Sequence, residues 1–268
     1  MTLPTPPPVP PSAPTPDRQV AWATSDGRAP DARTVFVAVY RLLLRSVATR
    51  GRLIAIAALA TISLSIALVV RIVGPEDPLG TGLGYANANL TTLVPVAVLV
   101  FGSATLGDLI DDGSLVYLWL RPVPSYLHVA AAWTATVTIC LPLVGAPVLL
   151  ATALIDPDGG LLLGTLLGLL VAVAAYSALF VTGGIRFRRS LPWGLAYILI
   201  WEGFVALAGE TASKLAVRSY VRSILSETTG EPLRLGEFSL AAGIVVPLVA
   251  GAVVLFYATR RLAKTDVA

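Results

Sequence analysis

Residues 53–70 read LIAIAALATISLSIALVV, an uncharged apolar run that lies between Arg52 and Arg71. The hydrocarbon core of a bilayer is about 30 Å thick, and roughly 20 mostly apolar helical residues cross it. The run therefore predicts a membrane-spanning helix.

Five further segments have the same apolar character. They are 90–107, 127–155, 161–185, 193–209 and 240–259. Pro142 and Pro147 predict a kink in the third of the six spans, and Glu202 interrupts the fifth, which is also short. Such continuous apolar runs favour helices over the alternating strands of a membrane barrel. The expected fold is an all-α integral membrane protein with six transmembrane helices.

The composition supports the same class. Hydrophobic residues make up 56% of the 268 residues and charged residues 13%, whereas a soluble domain carries about 25% charged residues. This argues against a soluble enzyme and against a disordered chain. The net charge of +3 is too small to indicate nucleic-acid binding. One cysteine, Cys140, and one histidine, His128, exclude an internal disulfide and a multi-Cys or multi-His metal site.

The first 32 residues differ from the rest of the chain. Nine of the 20 prolines fall within residues 1–30, which favours extended conformations without regular hydrogen bonds. We expect 1–32 to be a disordered cytoplasmic tail and 33–268 to be the membrane domain. A ligand for a proline-recognising partner is the weaker alternative for the tail.

The basic residues predict the orientation of the spans, since they concentrate on the cytoplasmic side. With the N-terminus inside, 14 of the 19 Lys and Arg residues lie on the inner side. The five on the outer side are Arg71, Lys214, Arg218, Arg222 and Arg234. We therefore expect a multi-pass protein of the plasma membrane with both termini in the cytoplasm.

An amphipathic segment, 33–52, precedes the first span. One stripe of the expected helix is basic, and the opposite side is apolar. The basic stripe consists of Arg33, Arg41, Arg45 and Arg52, and the apolar side of Phe36, Val39, Tyr40, Leu43 and Val47. Such a helix can lie on the inner membrane surface and anchor the first span. An elbow helix that also contacts a cytoplasmic partner is the alternative.

The inner loop between the second and third spans combines acidic residues with residues that begin and end a short helix. Three carboxylates, Asp108, Asp111 and Asp112, lie where the second span leaves the membrane. Gly113 precedes a short amphipathic helix over 114–120, and Arg121 with the following X-Pro pairs ends it. This turn–helix–turn predicts a docking element for a partner. An ordinary solvated connector is the alternative.

The last outer loop, 210–239, is long for a connector. Its basic residues recur every fourth position, opposite an apolar face, which predicts a helix laid against the membrane or tucked between spans. That helix is a candidate extracellular gate. In the fifth span, Glu202 is costly at the centre of a bilayer, so it has either a role in a substrate path or a structural hydrogen bond. Gly160, Gly164 and Gly168 form a stripe suited to close packing within the chain.

Three features taken together resemble a known family. They are the amphipathic helix before six spans, the loop Gly107-Asp108-x-x-Asp111-Asp112-Gly113-Ser114-Leu115-x-x-Leu118-x-x-Arg121-Pro122-Val123, and Trp201-Glu202-Gly203 followed by an outer loop with Leu215, Ser219 and Tyr220. Over most of 33–262 the chain is similar to the permease subunits of bacterial ABC exporters of the type-2 class. The proline-rich tail is not part of that pattern.

The resemblance implies a function. The helix over 114–120 would be a coupling helix that rests on a separate nucleotide-binding ATPase subunit. The implied coupling residues are Asp108, Asp111, Asp112, Gly113, Leu115, Leu118, Trp119, Arg121 and Pro122. The implied substrate-path or gate residues are Glu202, Trp201 and Tyr220. A second permease copy, identical or related, would complete the pathway within the lipid bilayer.

The chain itself is expected to be non-catalytic and to bind no cofactor. It lacks the phosphate loop Gly-x-x-x-x-Gly-Lys-[Ser/Thr], so ATP and Mg²⁺ belong to the partner subunit. A membrane prenyl- or phosphatidyl-transferase is one alternative, because the Asp108, Asp111 and Asp112 cluster could hold Mg²⁺ and a diphosphate. The second acidic motif of those enzymes is missing. An ion-coupled transporter would need more intramembrane charges than Glu202, and a purely structural membrane protein is the last alternative.

Overall fold

The computed structural model describes residues 31–111, 124–187, 189–207, 210–234 and 238–264. The amphipathic segment is not one helix through 52, as the sequence suggested. It forms α1, Ala32–Val47, and the chain then turns at Ala48 and Thr49 before α2, Arg50–Val73. Arg52 therefore belongs to the first turn of the membrane helix and not to the basic stripe of α1.

The remaining helices follow in chain order, and three of them continue into π-helical turns. They are α3 Pro78–Ala88, a π-helical turn Asn89–Leu93, α4 Val94–Asp111, α5 Ser125–Cys140, a π-helical turn Leu141–Gly145, α6 Ala146–Ile155, α7 Gly159–Arg186, α8 Ser190–Ala196, a π-helical turn Tyr197–Glu202, a 3₁₀ turn Val205–Leu207, α9 Glu210–Ser213, α10 Val217–Thr229 and α11 Leu240–Lys264. The described part of the chain contains no strand.

Local sequence signals account for several helix ends. The carboxylates of Asp77 and Asp158 accept hydrogen bonds from the N–H groups of Gly80 at 2.9 Å and Leu161 at 2.8 Å, which caps α3 and α7. Gly74 ends α2 in a left-handed conformation, with φ of 71°. The irregularity expected near Pro142 takes the form of the π-helical turn between α5 and α6.

Five helical segments are long and apolar enough to cross a membrane. They are Arg50–Val73, Pro78–Leu109, Ser125–Ile155, Gly159–Arg186 and Leu240–Ala263. Within an apolar 18-residue stretch of each segment, the share of buried residues is 78% for the segment containing α3 and α4 and 67% for α7, whereas it is 17% for α2 and for α11. The first two therefore form the centre of the bundle. The outward faces of α2 and α11 are apolar side chains, as expected for surfaces in lipid.

The apolar face of α1 packs on the bundle. Val39, Leu43 and Val47, one helical turn apart, are buried, and the first two share a cluster with Leu106 of α4 and Ala131 of α5. These side chains therefore contact protein, whereas the sequence led us to expect that they would enter the membrane interface. Packing on α4 and α5 fixes α1 to the two helices that flank the predicted inner loop.

Candidate functional site

The predicted fifth span, 193–209, is not one continuous helix. α8 and its π-helical turn end at Glu202, and a 3₁₀ turn, Val205–Leu207, follows. A side chain at position 203 would collide with the carbonyl oxygen of Leu199, so Gly203 permits the tight turn directly after Glu202. The helix ends here because the chain changes direction beside a buried carboxylate.

The helix of the last outer loop is tucked into the bundle. Near its end, α10 lies so close to α7 that added side chains on Gly160 and Gly164 would contact Thr228, and one on Gly168 would contact Val221. The glycine stripe therefore serves packing within the chain, as predicted. Because Thr228 lies near the start of α7 and Val221 lies further along it, α10 begins near mid-length of α7. A surface helix is thus the wrong alternative, and the tucked helix is confirmed.

Glu202 is the centre of a buried polar network. Its side chain is fully buried, with 0% exposure. The hydroxyl of Tyr176, near the middle of α7, donates a hydrogen bond to Oε2. The hydroxyl of Tyr197 donates to Oε1 at 3.0 Å, and the backbone N–H of Val217 donates to the same oxygen at 3.2 Å. Each carboxylate oxygen is therefore satisfied within the protein.

Glu202 also links the end of its own π-helical turn to the start of α10. Val217 is the first residue of α10, and Ala216 before it offers no side chain that could cap the helix. The Glu202 carboxylate takes that role from fifteen positions upstream, because it accepts one of the N–H groups that a helix start leaves unpaired. Arg218 closes the junction from the other side, since its Nη1 donates to the backbone carbonyl of Glu202 at 2.8 Å.

Two arginines connect α10 to the central segment of α3 and α4. Arg222 Nε donates to Asn87 Oδ1 at 3.0 Å, and Arg218 Nη2 lies 3.4 Å from the carbonyl oxygen of Thr91. Pro95 has no N–H to donate to that carbonyl four residues earlier, so the oxygen is open to Arg218. Both guanidinium groups are half-buried. Buried charged groups are costly unless hydrogen-bonded. These contacts meet the need for Arg222 Nε and for the two Nη atoms of Arg218, whereas Arg218 Nε is buried without a partner.

The gate residues expected from the sequence are only partly brought together. Trp201 is half-buried beside Glu202. Tyr220 has a different role, because its hydroxyl donates to the carbonyl of Lys214 at 2.7 Å and its ring stacks on Phe238 with centroids 4.8 Å apart. It therefore ties α10 to the chain on either side.

Sequence reasoning did not find the two tyrosines of the network. Tyr176 lies within the apolar run of α7, where a hydroxyl needs a partner. Tyr197 lies five residues before Glu202, and the π-helical turn between them brings both side chains to the same place. The available signal was a tyrosine within a predicted span. The five-residue spacing of Tyr197 and Glu202 places them on the same helix face only in a π-helical turn, which the sequence did not predict.

The predicted coupling residues lie mostly outside the described part of the chain. Asp108 forms an ion pair with Arg52, with Nη2 and Oδ2 2.7 Å apart, and Asp111 is the last residue of α4. The other predicted positions lie outside the described residues. They are Asp112, Gly113, Leu115, Leu118, Trp119, Arg121 and Pro122. The ion pair ties the start of α2 to the end of α4, from which this loop departs.

The predicted membrane-surface anchors divide into two groups. Arg33, Arg41 and Arg45 are exposed on α1, whereas Arg52 pairs with Asp108. Within the described ranges, no group of three or more His, Cys, Asp or Glu side chains is placed to hold a metal ion.

The comparisons with known proteins give no assignment. No protein-family model, curated protein or solved structure matches the chain. The arguments for function therefore come from the residues and their contacts.

Proposed function

We propose that this chain is the membrane permease subunit of an ATP-driven exporter of the type-2 ABC class. In this proposal it forms half of a substrate pathway, with a second identical or related copy forming the other half. A separate ATPase subunit binds ATP and Mg²⁺ and docks on the inner loop between α4 and α5. The protein resides in the plasma membrane, with both termini in the cytoplasm.

The observation that carries the proposal is the interrupted helix at Glu202. α8 borders the second half of α7, and α10 packs on the first half. In this proposal the two pieces together make the sixth crossing. Discontinuous crossings with polar groups near the membrane midplane are typical of membrane transporters, secondary transporters included, so this feature supports transport in general. A purely structural membrane protein has no need to bury Glu202, Arg218 and Arg222 there.

The inner end of the bundle supports the docking part of the proposal. α1 packs on α4 and α5, the two helices that border the inner loop, and the Arg52–Asp108 ion pair ties α2 to the same place. A force applied to this loop would therefore be passed to four helices, α1, α2, α4 and α5. Such a rigid connection suits a subunit that ATP binding drives between two states.

The alternatives are less well supported. An ion-coupled transporter would use Glu202 to bind its ion or proton, but both carboxylate oxygens already accept hydrogen bonds from Tyr176, Tyr197 and Val217. A transferase would need Asp108 free for Mg²⁺, and its Oδ2 is paired with Arg52. Both contacts favour the permease.

The direct test is co-purification with an ATPase. A soluble ATPase with a phosphate loop should be encoded beside this chain, and the two proteins should purify together at fixed stoichiometry. In lipid nanodiscs the complex should hydrolyse ATP, and transported compounds should change that rate. An isolated gene whose product purifies without an ATPase would overturn the proposal.

A further inference from the structure

A cavity of about 150 Å³ lies between α4, α7 and α8. Apolar and aromatic side chains dominate its lining, and Tyr197, a member of the Glu202 network, also borders it. The principal lining residues are Leu99, Leu179, Phe180, Gly183, Phe187 and Trp193. The cavity thus occupies the half of the bundle that contains the end of α7 and the Arg52–Asp108 ion pair.

The cavity opens sideways, on the lateral surface of the helix bundle. Trp193 is 62% exposed and Phe187 is 41% exposed, and their rings stack with centroids 5.6 Å apart. Large aromatic side chains exposed near the end of a membrane helix are typical of the headgroup region. A ligand could therefore enter sideways from the lipid without crossing the protein.

Positive charge lies beside the opening. The guanidinium carbon of Arg186 is 5.4 Å from the centroid of the Phe187 ring, and Arg189 follows in the same connection between α7 and α8. Both arginines are exposed. Asp108, in the neighbouring last turns of α4, is already paired with Arg52. The mouth of the cavity is therefore cationic while its interior is apolar.

The volume limits what the cavity can hold. Drug-sized ligands occupy pockets of roughly 300–1,000 Å³, so 150 Å³ is too small for them. A single hydrocarbon chain is thin and fits an apolar space of this size. An anionic group attached to that chain would meet the arginines, which bind phosphate oxygens well.

We propose that this cavity is a binding site for an anionic phospholipid of the inner leaflet. One acyl chain enters between α4, α7 and α8, and the phosphate lies against Arg186 and Arg189. The cytoplasmic leaflet is the anionic one, and these arginines are on the side that the distribution of basic residues assigns to the cytoplasm. The site does not depend on the transport proposal, because it requires only the membrane.

The test is native mass spectrometry of the purified protein released from bilayers of mixed phosphatidylglycerol and phosphatidylcholine. The unaltered protein should retain one phosphatidylglycerol in preference to phosphatidylcholine. The Arg186→Gln and Arg189→Gln variants should each weaken that retention about fivefold, because each arginine near a membrane surface contributes about 1 kcal/mol toward anionic lipid. Arg71→Gln, an exposed arginine at the end of α2, is the charge control and should change nothing.

A second variant tests the acyl-chain part. An added side chain on Gly183 meets no atom within 4 Å, so Gly183→Leu should fill the cavity without disturbing the helices and should abolish retention of the lipid. Gly159→Leu, also on α7 and also in open space, is its matched control and should retain the lipid. Equal retention of the two lipids, or unchanged retention in the arginine variants or in Gly183→Leu, would overturn the proposal.

Discussion

Glu202 accepts a hydrogen bond at 3.2 Å from the backbone N–H of Val217, so the last residue of the π-helical turn after α8 caps the first residue of α10. Two tyrosine hydroxyls complete the carboxylate's environment. This contact links α10 to the π-helical turn that follows α8.

Removal of the carboxylate should destabilise the protein. In Glu202→Ala three buried donors lose their acceptor, and each such loss costs about 1–3 kcal/mol, so thermal unfolding in detergent should occur at a clearly lower temperature. Glu202→Gln keeps one acceptor oxygen and should lose much less stability. If the chain is the proposed permease, Glu202→Gln should leave assembly with the ATPase intact but alter compound-stimulated ATP hydrolysis. Equal unfolding temperatures for Glu202→Ala and the unaltered protein would contradict the network.

The tyrosines should act through Glu202. Tyr176→Phe removes one buried hydroxyl and should cost about 1 kcal/mol of stability. In a double-mutant cycle with Glu202→Ala the two effects should not add, since the phenol and the carboxylate are direct partners. Tyr126→Phe, at the exposed start of α5, is the matched control and should be neutral. Additive effects of Tyr176→Phe and Glu202→Ala would show that the two groups do not interact.

Two adjacent glycines should respond in opposite ways to alanine. A methyl group on Gly160 would collide with the carbonyl oxygen of Thr228, whereas one on Gly159 meets nothing within 4 Å. Gly160→Ala should therefore push α10 away from α7 and cost about 1–3 kcal/mol. Gly159→Ala should be neutral or slightly stabilising, because alanine loses less conformational freedom on folding. Unfolding curves of the two variants measure the difference, and equal curves would refute the close approach.

The proposed docking role of the loop between α4 and α5 can be tested separately from folding. Leu118→Glu and Trp119→Glu should abolish co-purification of the proposed ATPase partner while the unfolding temperature of this chain stays unchanged. Asp108→Asn is a useful companion, since loss of its exposed ion pair with Arg52 should cost no more than about 1 kcal/mol. Stoichiometric co-purification of the ATPase with the Leu118 and Trp119 variants would argue against docking at this loop.

Much of the fold follows from local sequence. Five of the six predicted spans correspond to helices long enough to cross a membrane. They could be predicted because the bilayer thickness fixes how long an apolar helix must be, and both length and hydropathy are local properties of the sequence. The glycine stripe of α7 was equally readable, since residues four apart share a helix face. The break between α1 and α2 was missed, because apolar and basic residues continue across Ala48 and Thr49 in a helical pattern.

The polar site was readable only in part. Glu202 stood out as a carboxylate within an apolar run, yet its partners come from α7, from the preceding π-helical turn and from the start of α10. Likewise, the regular spacing of Arg218 and Arg222 predicted a helix but not its depth, because acceptors at Asn87 and Thr91 make burial tolerable.

The sequence by itself determined that this is a helical, multi-pass membrane protein. The free energy of transferring a segment from water into a bilayer depends on the side chains of that segment, which the local sequence gives directly. Only the tertiary structure decided that a helical segment ends at Glu202 and that α10 begins beside it at Val217. A hydrogen bond between distant residues exists only once packing brings donor and acceptor together, and no local pattern encodes that meeting.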